Sequence, residues 1–599
     1  MKYFSLLISI IFQTQLTNAQ TWDWGRQTVC DGGAGVANLY ANTTDISGNI
    51  LIVGDYDQGA LNLSGIVLPD SPEFFNNIFI AKYNSNGSIN YSKHFTGNYG
   101  NSSAHSIVAN NRKEIFVSGY FRGTFYLDTI TLNSNINAPF VFKADSTGNI
   151  IWAKKLNYFY PCGTAILSLS PSNEIIVEGT VQEPTNQLNN TFIEKLDSNG
   201  TSIFQKIITG YHNEGTYNSL FVSPLGDYYV LGNFEYTATL NSTTLSSSGG
   251  NDIFIAKFSN TDTLTWFHRY GTQYSDGAHS IIGLGNNIYF TSQQDVDGYG
   301  RLTKLNENGT LISSSIIGHP SNQNLEGRDL LTKNNKIFIT GTYANSSLII
   351  GNTPFQYTSA RNIFIAEVDT NHIYNYGIVS AGTSAAVAFS ISCSNDAIYA
   401  SGIFLGVSGE PKIVIFGDDT LRTANPEGFL AKVSFDFCSN FTLDTTVTEL
   451  GSALQANATG VTYQWLDCDN NYTPVIGATQ RLFNPATSSG IYAVVVSDGA
   501  CSDTSNCHVV IPVSIIDASP FGFAHGDKIK IFPNPATNEI SVSGFLPSYL
   551  KLCNTLGQTV FEASKTNRVS VGNLPQGLYF LHLFDEKGGV VKIEKVIKE

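Results

Sequence analysis

From about residue 36 to 435 the chain alternates short apolar runs with turns rich in Asn, Gly, Ser and Asp, and near-copies of the same runs keep returning. Residues 251–293 carry the unit most plainly: DIFIAKF, LTWFHRY, AHSIIGLG and NIYFTSQ are each the length of a strand and are bounded by turn residues. Four such segments predict one four-stranded antiparallel sheet. Self-similarity at a period of roughly 50 to 65 residues points to a propeller or an array.

Aligned on its second segment, the chain reads NILIVGDY at 49, EIFVSGYF at 114, EIIVEGTV at 174, DYYVLGNF at 227, NIYFTSQQ at 287, KIFITGTY at 336 and AIYASGIF at 397. The third segment also occurs seven times, ending in Lys82, Lys143, Lys195, Lys257, Lys304 and Lys432, with Glu367 replacing the lysine once. Both counts predict a seven-bladed β-propeller. The fourth segment follows the third in six units, as in INYSKHF and IIWAKKL, but none follows GFLAKVSF at 428. WDWGRQTV, residues 22–29, has the same aromatic and basic pattern and precedes the first inner strand. It is therefore predicted to return as the outer strand of blade seven with Trp22 and Trp24 buried, which removes two open sheet edges.

Turn lengths distinguish the two faces. Turns after the first and third strands are tight, as in NSNGS and DSTGN, whereas second-to-third connections run long at about 57–76, 122–139, 235–251, 344–361 and 405–427. Loops between blades emerge on that same elaborate face, with Tyr99, Tyr158, Phe159, Tyr160, Tyr211, His212, Glu214, Tyr274, Asp276 and His319. Flat rings beside hydrogen-bonding groups suit sugars, so these are the candidate ligand-binding residues; packing of the loops against one another is the competing reading.

Composition adds compartment. The 599 residues carry 33 Lys and Arg against 48 Asp and Glu, a formal net charge of −15, which argues against nucleic acid as a partner. Residues 1–20 have a charged start at Lys2, an apolar run from Phe4 to Phe12 and Ala19 before Gln20, the pattern of a secretory signal peptide spanning 1–19. That run is too short for a transmembrane anchor, and no later stretch qualifies. In an exported chain the eight cysteines call for a structural reading first. A Cys30–Cys162 bridge would cross the elaborate rim. Cys468 is expected to pair with Cys501 or Cys507, and Cys438 could reach Cys393.

The repeats resemble the bacterial β-propeller repeat of secreted proteins and share strand order with the NHL type, which implies architecture but hardly any activity. Beyond Cys438 the repeat stops, and the stretch with Trp465 and GIYAVVV resembles immunoglobulin-like or PKD-like modules, an expected β-sandwich at 437–512 after a propeller at 20–436. Residues 513–527 read as a linker. The segment 528–599, with Phe532, Pro533, Asn534 and Pro535 of FPNPATNEI, Gly557 of the LGQ turn, and Gly577 and Tyr579 of LPQGLYFL, resembles the C-terminal sorting domain of the type IX secretion system. That resemblance implies a Bacteroidetes-type bacterium, a further β-sandwich, the secretion machinery as partner, and release or attachment to surface lipopolysaccharide after cleavage.

Catalytic motifs are sparse. GTSAAVA, with Ser384, has the look of a subtilisin-type nucleophile segment, but no accompanying Asp or His segment would activate it. Asp295 and Asp297 in DVDGYG supply too few oxygens for calcium, and HExxH and phosphate-loop patterns are missing. No cofactor is expected. The leading expectation is a surface or released protein that binds a glycan or protein. A glycoside hydrolase or lyase with loop carboxylates, and a purely structural surface component, are the alternatives.

Overall fold

The structure is a computed structural model that describes residues 21–31, 35–70, 76–98, 102–158, 160–182, 189–212, 219–294, 298–319, 324–344, 348–356, 360–405, 412–435, 443–450, 453–470, 472–485, 490–497, 502–510, 529–555 and 557–599. The signal segment, Tyr99, Phe159, Glu214, Asp295, Asp297, Cys438 and Cys501 lie outside these residues. The fold is all-β, with no helix among the described residues and none long and apolar enough to cross a membrane. Two compact units are present. The first takes in the described residues up to Thr446 with Ala458–Gln464 and Val494–Ser505, and the second takes in Val447–Asn457, Trp465–Ala493 and Asn506–Glu599.

In the first unit strand pairing gives seven four-stranded antiparallel sheets among the described residues. Their innermost strands, Val36–Thr44, Ser103–Ala109, Cys162–Leu169, Ser219–Val222, Asp276–Leu284, Leu325–Lys333 and Ala385–Cys393, neighbour one another in a closed ring. This is a β-propeller. The second strands are apolar without alternation because both faces are covered: Ile50 and Ile52 pack with Tyr399 and Leu430 of the last sheet, while Leu51 and Val53 pack with Ile107 and Val117 of the second.

The N-terminal strand Trp22–Asp31 closes the ring as the sequence predicts. Trp24 to Gln27 pair with Lys432 to Phe429, and Trp22 and Trp24 are only 5% and 7% exposed. The Trp24 indole donates to the Ser85 carbonyl at 3.4 Å, just as Trp152 donates to Ser198 at 3.3 Å and Trp266 to Glu307 at 3.1 Å. In each case an outer strand clasps the last turn of the following sheet, so the N-terminal strand occupies the same place as the other outer strands.

The lysine that ends the third strand has a fixed job. Lys82, Lys143, Lys195 and Lys257 pair at 2.8 to 3.2 Å with Asp45, Glu114, Glu174 and Asp227, acids of the tight turn in the same sheet. Glu367, the exception, pairs at 2.7 Å with Lys336, which stands where Glu114, Glu174 and Asp227 stand elsewhere. The ion pair is kept with its signs exchanged. Glu367→Lys should therefore cost about 2 kcal/mol by setting two ammonium groups together, and adding Lys336→Glu should recover most of it. Urea unfolding of the two single variants and the double variant checks this.

In the stretch after the propeller, Val447–Leu450, Ala453–Ala456 and Leu482–Phe483 form one sheet. Thr473–Pro474, Thr462–Asp467, Gly490–Ser497, Ser502–Thr504 and His508–Val510 form another. Trp465 is fully buried, stacked on Phe483 at 5.1 Å, with its indole N–H on the Gln480 carbonyl at 2.9 Å. Cys468 is bonded to Cys507, resolving the two pairings left open by the sequence.

At the C-terminus one sheet holds Lys530–Phe532, Glu539–Ser543 and Arg568–Ser570. The other runs Thr559–Ser564, Tyr549–Asn554, Gly577–Phe584 and Val590–Lys598, around a core of Ile540, Leu552, Leu581 and Val596. The FPNPA opening is stitched to the last strand. The Asn534 amide donates to the Lys595 carbonyl at 2.6 Å and accepts from Ile597 N–H at 2.9 Å, leaving Phe532 exposed. Gly557 adopts a left-handed φ of 76° in its turn, and the buried Tyr579 donates to the Pro575 carbonyl.

Candidate functional site

The long second-to-third connections do not stand free of the sheets. In the first sheet, Ala60–Leu63 continues from its own blade to pair with Thr28 to Asp31 of the closing strand. In the second, Thr124 to Tyr126 pair with Thr96 to Asn98 of the preceding outer strand. In the fourth, Glu235 to Thr239 pair with Thr209 to Tyr211, and in the seventh, Val414 and Ile415 pair with Gly382 and Ala381. Four hairpins thus strap a sheet to its predecessor by backbone hydrogen bonds. The elaborate face is a stiff rim.

The sequence-derived candidates among the described residues do not converge on one site. Tyr158 is half-buried, lies against Phe192 at 4.4 Å and donates to Glu194 at 3.0 Å, so it packs the rim. Asp276 is buried and holds Thr272 N–H at 2.7 Å and its hydroxyl at 2.8 Å, which makes it a loop cap. Tyr160, Tyr274 and His319 are exposed. Tyr211 and His212 lie in the strand Ser202–His212.

The structure gathers a different set. The inner strands carry bulges that insert Tyr40, His105, Arg328 and Phe389, and His279 lies within a further one. A bulge re-aims the inserted side chain. These form an arc across neighbouring sheets: Tyr40 meets His105 at 4.9 Å and Phe389 at 6.1 Å, and the Arg328 guanidinium lies 5.8 Å from the Phe389 ring. The sequence signal was present, because AHSI occurs at both 104 and 278 and AFSI at 388.

At one end of this arc the Ser103 hydroxyl donates to Asp55 at 2.5 Å and lies 2.8 Å from His105 Nε2, while Asn38 donates to the other Asp55 oxygen at 2.9 Å. Burial pushes Asp55 up to about 6 and His105 down to about 4. With the serine proton committed to the carboxylate, His105 Nε2 must donate, and its Nδ1 has no hydrogen-bond partner. The order is Asp, Ser, His. A nucleophilic triad needs the histidine in the middle, so this cluster latches the first sheet to the second. Ser384 is likewise structural: it is buried in the bend just before the strand Ala385–Cys393 and donates to the Leu405 carbonyl at 2.9 Å.

The Cys30–Cys162 bridge is not formed. Both are buried free thiols packed in separate seams, with Cys30 donating to the Asp57 carbonyl and Cys162 to that of Tyr160. Burial pushes both up to about 12, so they are unreactive. Cys393 is also a free thiol, which removes the pairing with Cys438. Among the described residues no group of three or more His, Cys, Asp or Glu side chains is placed to hold a metal ion.

Beside Cys30, the buried Glu427 accepts from its N–H at 3.1 Å, and burial raises this carboxyl to about 8. Between pH 6.5 and 8 the folded chain keeps that proton while the unfolded chain has lost it, so stability falls as pH rises through this window. The loss is on the order of 2 kcal/mol at about 1.4 kcal/mol per unit. Buried histidines held down, such as His105, act only below about pH 6.5. Melting temperatures at pH 6.5 and 8 should fall in the native chain and fall less in Glu427→Gln.

Comparisons with known proteins identify one domain of the chain. No curated protein matches the chain. Among solved structures, a protein of unknown function from Dyadobacter fermentans is similar at 10% identity with a TM-score of 0.35, covering 68% of this chain and 98% of that one. The endosialidase of phage phi92 is similar at 11% and 0.34, covering 86% and 91%. The polysaccharide lyase Uly1 is similar at 9% and 0.38, covering 69% and 100%. Function therefore has to be read from this chain's own residues. Residues 530–599 match the secretion system C-terminal sorting domain, the type IX address that the FPNPATNEI and LPQGLYFL segments led us to expect. The protein is thus handled by the type IX machinery and exported across the outer membrane to the cell surface or the extracellular space.

Proposed function

We propose that this exported chain is a non-enzymatic binding protein that recognises a glycan or a protein through the elaborate face of its propeller. The placement of exposed aromatics carries the reading. Among the described propeller residues, the exposed large aromatic side chains are Tyr126 (43%), Tyr160 (39%), Tyr236 (68%) and Tyr274 (40%). All four belong to second-to-third hairpins or between-sheet loops, which leave the sheets at one end, whereas Ile46 and Leu225 are exposed in tight turns of the other. Amphipathic rings on a stiff rim give contact area at low entropic cost. Binding is preferred to hydrolysis because Asp276, the described carboxylate among the sequence candidates, already caps its own loop.

In this reading residues 1–19 are a cleaved signal and 20–436 the seven-bladed working domain with repeats of the secreted bacterial type. Residues 437–512 are an immunoglobulin-like or PKD-like spacer, 513–527 a linker and 528–599 the address, removed on release or on attachment to lipopolysaccharide. Glycan and surface-protein arrays probed with the exported chain and with its Tyr126, Tyr160, Tyr236 and Tyr274 to Ala variant test it. At least a tenfold loss of a bound signal in the variant is expected. No bound partner, or equal binding by the variant, overturns the proposal.

A further inference from the structure

A cleft of about 440 Å³ opens where the hairpin of the second sheet meets the outer strand of the first, lined by Asn98, Arg122, Gly123, Thr124 and Asn133 to Asn135. Its volume lies within the range of small-ligand sites. The cleft has a definite origin. The strands Ile115–Leu127 and Ile130–Ala144 pair in register up to Ser134 opposite Gly123 and resume at Ala138 opposite Phe121. The intervening bulge faces Arg122, and bulges of this kind disrupt the ladder and re-aim side chains.

The hydrogen bonding within the lining leaves it rich in donors. Asn98 Oδ1 accepts from Thr124 N–H at 3.1 Å, which fixes that amide because a backbone N–H can only donate. Asn133 Oδ1 accepts from the Thr124 hydroxyl at 2.9 Å, and Ser134 Oγ accepts from Ile136 N–H. The side-chain oxygens of Asn98, Asn133 and Ser134 are thus engaged inside the wall, while the second amide N–H of Asn98, whose first lies on the Tyr126 hydroxyl, and both of Asn133 remain available to a ligand. Arg122 is exposed, and none of the described residues pairs with its guanidinium. Among the described residues no carboxylate lines the cleft, although the chain holds 48 acids against 33 bases. The exposed ring of Tyr126 stands beside it, its hydroxyl 3.5 Å from Asn98 Nδ2.

We propose that this cleft binds an acidic sugar, its anionic group on Arg122, its hydroxyl oxygens on the asparagine amides and its ring face against Tyr126. The planar guanidinium fork suits a carboxylate or a sulfate, and amide donors suit ring hydroxyls. The inference rests on the binding role proposed above and names the ligand class for one part of that face.

The test is calorimetric titration of the exported chain with a galacturonic acid hexasaccharide, its methyl ester and a sulfated galactan hexasaccharide. One of the two acidic probes is expected to bind, the carboxylated probe indicating a uronate and the sulfated probe a sulfate ester. Arg122→Gln should weaken that binding at least tenfold. Asn135→Asp, which adds a negative charge at an exposed position, should do the same with an unchanged melting temperature. For the carboxylated probe, methyl esterification should have an equal effect. Failure of both acidic probes to bind, or equal binding by Arg122→Gln, overturns the proposal. Loss of binding in Arg122→Gln but not in a Tyr160, Tyr236 and Tyr274 to Ala variant would retain this site while removing the wider face from recognition.

Discussion

Removing residues 22–29 is expected to abolish the single cooperative unfolding transition of the propeller. The strand makes one ladder with Glu427–Ser434 and continues into a second with Ala60–Leu63, so its loss opens an edge on the seventh sheet and frees the first hairpin. It also reaches the sixth sheet, because the Trp22 indole donates to the Val379 carbonyl at 2.8 Å, and the first, through Arg26 on the Gly87 carbonyl at 3.1 Å. Burial of each indole is worth about 4 to 6 kcal/mol by area. Two of them approach the whole stability of an ordinary domain, about 5 to 15 kcal/mol. Calorimetry should show a broad, early and aggregation-prone transition. An unchanged melting curve would mean that closure does not depend on the N-terminal strand.

Gly119→Ala should destabilise the propeller by about 3 to 5 kcal/mol, a large effect for one methyl group. A Cβ there would fall 2.0 Å from the Ser103 carbonyl oxygen and 2.7 Å from the Ala104 Cα, and backbone atoms cannot swing aside as a flexible side chain can. The approach is built into the repeat: Cβ atoms at Gly54, Gly179, Gly341 and Gly402 would meet inner-strand carbonyl oxygens at 1.9 to 2.2 Å. Gly277 is the control, with nothing within 4 Å of its added Cβ, so Gly277→Ala should change little. Equal thermal melts for the two variants would show that the inner strand yields.

What could be read from the sequence was what recurs along it. Period, strand count and the displaced outer strand follow from comparing copies of a segment, and even the Glu367 exception held its own explanation in Lys336, since both stand at repeat positions. The hairpin straps could not be read, because the pairing of Thr124 with Asn98 or of Val414 with Gly382 depends on how one sheet meets the next. The bulged arc was half legible. AHSI repeats, but that His105 forms an extra residue opposite Gly119 and Ser118 is a matter of register. Chemical type alone could not sort the candidate residues, because Tyr158 and Asp276 have the right chemistry and spend it on holding loops together. The sorting domain was legible because its motif residues do local work, with Asn534 tying the opening to the last strand and Gly557 making a turn.

The chain joins a propeller that works outside the cell to a C-terminal domain that takes it there, and deleting residues 528–599 in a host with the type IX system tests that division most directly. The truncated chain should accumulate in the periplasm and melt with the propeller transition of the full chain. Its normal appearance in the medium or on the cell surface would contradict the account.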